Sequence, residues 1–376
     1  MVDVMITGLG GTGGAALEIL ARMPDVGDIV VCDAKDQGKK IATAVSGANH
    51  LGFYPRVTFE RVDLMDTERA AAVIAAAAPV VILNCTALMP WYGRKLLDLP
   101  ADVEASMKSS GVAAWLPTHV CIAQKVMLAV RQSGVNTRVI NLSFPDAVNA
   151  ILHRQNLGPM MGAGNADLLI PNLQREVARQ VKGHARDVQV LLVAHHALTG
   201  LQSTDTPESM PYHIQVLHEG KDVTDDVPIG DLLYRASQDR LPGTLMDLLV
   251  ASSLVKNAMA ILRDSHLLTF APGPGGLIGG YSVKISRDCV EVNLPDGITM
   301  QEAIALNEKA QMRDGISEIL EDGTVVLTEK AWRGMKEATG YEMETFHPED
   351  ACRRAKELIE LFYGLRSKYG VKGYGV

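Results

Sequence analysis

The sequence predicts an α/β protein: a doubly wound parallel sheet in its N-terminal part, followed by an α+β region. Three observations carry this. Short apolar runs alternate with stretches of helical spacing from residue 1 to about 142, a glycine-rich turn follows the first run, and the rhythm changes in the second half.

The runs at 2–6, 29–32, 57–62, 80–84, 112–116 and 139–142 are rich in Val, Ile and Leu and short enough to be buried strands. Between them, 13–22, 66–78, 96–109 and 118–133 place apolar residues at helical spacing. Strand, helix, strand in that order means right-handed crossovers and a six-stranded parallel sheet. Beyond it, the pattern predicts a helix over 167–181, strands at 188–194 and 213–218, and a long helix over 244–263. The Gly/Pro run APGPGGLIGG at 271–280 predicts a tight loop before a hairpin at 281–286 and 289–294. Helices over 300–318 and 351–367 close the chain. The division expected is a first domain of residues 1–145 and an α+β substrate and oligomerisation domain of residues 146–376.

Composition narrows the class. Of the 376 residues, 47% are hydrophobic and 21% charged, which is ordinary for a globular chain and argues against disorder. A net charge of −8 with scattered Lys and Arg predicts no nucleic-acid partner. The longest apolar stretches, such as 70–83, fall short of the roughly 20 residues of a membrane helix, so no membrane association is expected. The chain opens directly on a strand rather than on a signal peptide. Five cysteines, Cys32, Cys85, Cys121, Cys289 and Cys352, lack C-x-x-C spacing. They read as small buried apolar residues of a reducing compartment, and the cytoplasm is the expected location.

The chemistry begins at MITGLGGTGG (5–14), where G-x-G-x-x-G falls on Gly8, Gly10 and Gly13 between a strand and a helix. Gly8 permits the tight turn, Gly10 lets backbone approach a pyrophosphate, and Gly13 lets the helix pack close to the sheet with its amides toward the phosphates. Asp33 ends the second strand 25 residues after Gly8, where a carboxylate accepts hydrogen bonds from ribose hydroxyls and repels a 2′-phosphate. Turn, context and acid together predict a Rossmann unit that binds NAD, through Gly8, Gly10, Gly11, Thr12, Gly13 and Asp33, with Thr86 and Ala87 after the fourth strand completing the set. Lys35, Lys39 and Lys40 leave NADP open, as does a purely structural role for Asp33 as a turn cap.

The order of features past this turn resembles the lactate/malate dehydrogenase superfamily over nearly the whole chain. VVILNCTA (80–87) and MPWYGRKLLD (89–98) look like the fourth strand and the mobile active-site loop, with Arg94 as the arginine that closes on substrate. VINLSFPDAV (139–148), MGAGNAD (161–167), VLLVAHHA (190–197), PGTL (242–245) and GGYSVKIS (279–286) match further landmarks in sequence order. The resemblance implies hydride transfer between the nicotinamide and a hydroxyl or carbonyl carbon, and a homodimer or homotetramer. It assigns proton transfer to His196, or to His195 if the register slips, and assigns Asp167 to orient the imidazole. Neighbouring strand residues face opposite ways, so only one of the two histidines can face the nicotinamide. His119 is a further histidine near the same edge.

The departures bear on substrate. Phe144 stands where the family has asparagine before Pro145, Asp167 comes one residue early, and Ile170 or Pro171 holds the place of the carboxylate-gripping arginine. Arg154 and Arg175 are the candidate replacements. The expected small-molecule substrate is therefore a hydroxy acid or related anionic compound other than lactate or malate. Two alternatives stand beside it: an NAD-dependent glycosidase-like hydrolase, although no cysteine adjoins 162–167 to hold its metal, and a non-catalytic NAD-binding regulator. No metal site is expected.

Overall fold

A computed structural model describes residues 2–89, 93–206, 208–239 and 243–372. The first half runs β1 (Val4–Thr7), α1 (Gly11–Leu20), β2 (Asp28–Asp33), α2 (Gly38–His50), β3 (Arg56–Arg61), α3 (Thr67–Ala77), β4 (Val81–Asn84), α4 (Ala101–Ser109), α5 (Pro117–Ser133), β5 (Arg138–Asn141), α6 (Pro145–Arg154) and β6 (Met161–Gly162). These six strands form one parallel sheet in the order β3-β2-β1-β4-β5-β6. The order reverses direction between β1 and β4, which opens a crevice at the carboxyl ends of those two strands.

The alternation of side chains explains why the strands read as continuous apolar runs. Met5, Val30, Ile82 and Val139 face one side, with α3, α5 and α6. Val4, Ile6, Val31, Leu83 and Ile140 face the other, with α1. Both faces are covered, so neither can be polar.

The second half begins with α7 (Ile170–Val181), β7 (Val188–Ala194), β8 (Tyr212–His218), β9 (Lys221–Asp222), α8 (Ile229–Gln238), α9 (Thr244–Arg263), β10 (Leu267–Pro272), β11 (Gly280–Ile285) and β12 (Val290–Val292). Its sheet is antiparallel in the order β10-β11-β7-β8-β9, with β12 paired to β11 as the expected hairpin. Then come α10 (Met300–Gln311), β13 (Ile316–Ile319), β14 (Val325–Leu327), α11 (Glu329–Thr339), β15 (Thr345–Phe346) and α12 (Ala351–Tyr369). Helix α9 packs its Ala251, Leu254, Val255 and Ala258 with α1. Residues of β13, β14, α11 and α12, among them Ile316, Leu327, Met335 and Leu358, close over the opposite face of the first sheet.

Four expectations are corrected. Residues 112–116 are not a strand: Ala113–Trp115 is a short 3-10 turn feeding α5, whose first residue is Pro117, and the sixth strand is β6. The helix expected over 300–318 stops at Gln311 because Gly315, at φ +93°, reverses the chain into β13. Helix α9 does reach membrane-spanning length and apolarity, at 20 residues and mean hydropathy 1.6, but half of that stretch is buried inside the fold. Cys121 and Cys352, expected as plain core residues, form a disulfide because α12 lies back across α5.

Candidate functional site

The glycine turn has the geometry its sequence requires. Gly8 adopts φ +84°, and a side chain there would press on the backbone of Cys85 and Thr86 at 3.1–3.2 Å. A Cβ on Gly13 would lie 2.0 Å from the Gly8 carbonyl oxygen, so only glycine lets α1 start this close to β1. Gly10, the residue preceding α1, is different: nothing lies within 4 Å of its missing side chain. That open face is where a pyrophosphate would approach, next to helix-terminal amides that lack intrahelical partners.

Asp33 reaches the turn as expected, but both its oxygens are engaged by backbone. Oδ2 accepts from Leu9 N–H at 2.8 Å and Oδ1 from Lys35 N–H at 2.8 Å. It thus shapes the turn and presents its carboxylate at the end of β2. Lys40 donates to the Leu9 carbonyl at 2.8 Å, so one of the three lysines is part of this wall. The turn and Asp33 fit the diphosphate and ribose of a dinucleotide, with the Asp247 carboxylate held beside them by Thr12 Oγ1.

From this turn a buried polar row crosses the carboxyl edge of the sheet. Thr7, Asn84 and Asn141 end β1, β4 and β5 in register. Thr7 Oγ1 donates to Asn84 Oδ1 at 3.1 Å, Asn84 Nδ2 to Asn141 Oδ1 at 3.0 Å, and Asn141 Nδ2 to Asn149 Oδ1 at 2.9 Å. Thr86 Oγ1 also donates to Asn84 Oδ1, at 2.6 Å, whereas Ala87 is exposed beyond it. Three polar residues at the ends of apolar runs, in aligned positions, are a signal of this row in the sequence that the glycine motif does not contain.

The row ends at a cluster of ionisable side chains. Ser143 N–H donates to Asn141 Oδ1 at 3.1 Å, and Ser143 Oγ lies 2.9 Å from His119 Nδ1 on the first turn of α5. Phe144 follows in the left-handed region at φ +48°, a strained conformation for an aromatic residue. Its ring meets His196 edge to face, with centroids 5.2 Å apart. Asp146, in the first turn of α6, accepts the His196 backbone N–H at 2.8 Å and hydrogen-bonds Asn165.

His195 and His196 lie just past β7, where a 3-10 turn replaces strand alternation, and both rings turn toward Asp314, with centroids 6.4 Å apart. His195 is fully buried, and burial holds it below the ordinary imidazole range against the opposing pull of Asp146 and Asp314. The side chain of His196 is 28% exposed and its Nδ1 lies 2.8 Å from Oδ2 of Asp314. Asp314, brought in by the turn between α10 and β13, also lies 3.4 Å from His195 Nδ1. Burial alone would raise its carboxyl, but His196, His195 and Arg94 outweigh that and hold it below 3.8.

Asp167 is not the partner of His196. It turns the other way, toward α9, where it accepts from Lys256 Nζ at 2.7 Å and Ser253 Oγ at 2.6 Å. With Ile170, Pro171 and Lys256 it lines a separate cavity of about 580 Å³. The reason is local: Gly164 N–H is anchored on Ser253, which rotates the segment toward α9. The histidine-orienting role expected of Asp167 is met by Asp314, 118 residues from His196 in sequence, which no local pattern announces.

Arg94 joins the cluster from a 3-10 turn, Gly93–Leu96, and donates to the Gly111 carbonyl. Burial pushes its pKa down to about 10, with Asp314 opposing, and Arg94 in turn adds to the burial that holds His119 down at about 4. The loop expected to act as a lid includes Pro90, Trp91 and Tyr92, which lie outside the described residues. Arg154 and Arg175 stand elsewhere, the first donating to the Ala150 carbonyl and the second paired with Asp239.

Solved structures of similar shape share the fold. A lactate dehydrogenase from a Medee basin deep-sea metagenome library matches over 83% of this chain and 97% of its own, with a TM-score of 0.56 and 13% identity. The fold is that of the lactate and malate dehydrogenases. A malate dehydrogenase from Plasmodium falciparum in complex with NADH covers 84% of this chain and 97% of its own at TM-score 0.55 and 13% identity. One from Salinibacter ruber covers 83% and 95% at 0.54 and 18%. No protein-family model matches the sequence, and neither does any curated protein sequence. Ser143, Phe144 and Asp146 follow β5 at the carboxyl edge of the parallel sheet, and His196 meets them there through Phe144 and Asp146.

Proposed function

We propose that the protein is an NAD-dependent oxidoreductase acting on a hydroxyl or carbonyl group of a small molecule, with His196 as the proton-transfer residue. The observation that carries this is the His196–Asp314 pair at 2.8 Å, beside which the polar row from the end of β1 ends at Ser143 and His119, with Phe144 between that row and His196. The nicotinamide, when bound, supplies the hydride acceptor or donor.

The chain's own groups do the rest. With Nδ1–H donated to Asp314, the neutral imidazole keeps Nε2 as its acceptor nitrogen, suited to take a hydroxyl proton. Asp314 stabilises the imidazolium that results, and Asp146 fixes the backbone of the same residue. Phe144 packs against the ring and limits its rotation. Arg94 is the cation of the cluster, which suits a hydroxy acid or related anionic substrate. Ile170 and Pro171 offer no bidentate grip, so lactate and malate are poor substrates. NAD is preferred over NADP through Asp33, and the enzyme works as a homodimer or homotetramer.

The test is a panel of hydroxy acids and alcohols, followed by nicotinamide absorbance, with wild type and His196→Asn. The expected result is turnover that falls by about 10²–10⁴-fold in the variant while NAD affinity holds. Unchanged turnover in the variant, or NAD binding with no turnover on any compound, refutes the assignment, the second in favour of a non-catalytic NAD-binding protein.

A further inference from the structure

Helix α1 has no capping side chain at Gly10 and no acidic residue in its first turn, although it begins the turn that would receive a pyrophosphate. The missing negative charge comes from 235 residues away. Thr12 Oγ1 donates to Asp247 Oδ1 at 2.8 Å, and a Cβ on Gly11 would lie 2.1 Å from Asp247 Oδ2. Asp247 sits in the first turn of α9, so its carboxylate lies at the positive ends of two helices at once. The aspartate fills the place an anion would take at the start of α1.

We infer that Asp247 is a cofactor-site residue that occupies the phosphate seat in the free protein and must withdraw, or be tolerated at a cost, when a dinucleotide enters. The inference rests on the NAD-binding reading above. Two phosphate charges and one fixed carboxylate compete for the start of α1 and for the same threonine hydroxyl. At a half-buried site such repulsion is only partly screened, so the carboxylate sets the affinity for the cofactor's diphosphate rather than for its rings. The same residue steadies α1 while the seat is empty, since it supplies the N-terminal negative charge that the helix lacks.

The test is titration of wild type, Asp247→Asn and Asp247→Ala with NAD and, as a second probe, with inorganic pyrophosphate, at low and high salt. Asp247→Asn keeps an acceptor for Thr12 and removes only the charge, and thermal unfolding checks that both variants are folded. The expected result is NAD binding about tenfold tighter in both variants at low salt, a parallel gain for pyrophosphate, and a smaller difference at high salt. If wild type binds NAD and the variants bind it equally or more weakly, Asp247 is a favourable cofactor contact or a bystander, and this inference alone is overturned. If none of the three binds NAD, the dinucleotide reading falls and the inference with it.

Discussion

Replacing Asp314 by Asn separates orientation from charge at the candidate base. The two side chains have nearly the same volume, so no cavity opens in this buried site, yet the acceptor of the 2.8 Å bond from His196 loses its charge. A hydrogen bond to a charged group contributes about 1.5–3 kcal/mol, and each 1.36 kcal/mol is tenfold in rate. The expected loss of turnover is therefore roughly 10–150-fold at the optimum. The sign of the pH effect follows from the same interaction. An ionised Asp314 stabilises the imidazolium, so its loss makes the ring shed its proton more readily, and the acid limb for alcohol oxidation moves to lower pH by about one to two units. Carbonyl reduction, which needs the protonated ring, loses rate over the same range. Two assays read this: pH–rate profiles once a substrate is in hand, and NMR titration of the labelled His196 ring, which needs none. A ring that titrates at the same pH in both proteins refutes the argument, whatever happens to activity.

Acid stability gives a second prediction. His119 is held at about 4 against an ordinary 6.5 by burial, so below pH 6.5 the unfolded chain binds a proton that the folded one refuses. Its share of stability is complete above 6.5 and falls toward pH 4 by roughly 3 kcal/mol, and His119→Phe should flatten denaturant midpoints measured across that window. Unchanged steepness in the variant would place the acid sensitivity elsewhere. The glycine turn yields a third: Gly10→Val, facing open space, should leave the thermal midpoint nearly unchanged and abolish NAD binding, whereas Gly13→Ala, 2.0 Å from the Gly8 carbonyl, should lower both. Equal behaviour of the two variants would contradict this division. The fourth concerns Asp167: Asp167→Asn should leave the titration of His196 unmoved, and Lys256→Met should destabilise the fold by about 2–4 kcal/mol by leaving the buried carboxylate without its cation. A shifted His196 titration in Asp167→Asn would restore the expected pairing.

What the sequence determined by itself is what rests on local physics. Short continuous apolar runs, helical spacing and a glycine turn at a strand end depend on near neighbours, and so β1 to β5, the turn at Gly8, Gly10 and Gly13, and α9 were legible in the sequence. The strand alternation expected of His195 and His196 does not apply, because both lie past the end of β7 and turn toward Asp314. The misreadings fall where a residue's state depends on what packs against it. Residues 112–116 look like a strand because they are apolar, but they form the 3-10 turn that feeds the helix beginning at Pro117. Only the tertiary structure could bring Asp314 to His196, Asp247 to Thr12 and Cys352 to Cys121, across separations of 118, 235 and 231 residues. A carboxylate's partner is chosen by where the chain returns, and Asp167, with the right residue type at nearly the right place, went to Lys256 because Gly164 is anchored on α9 and turns it there.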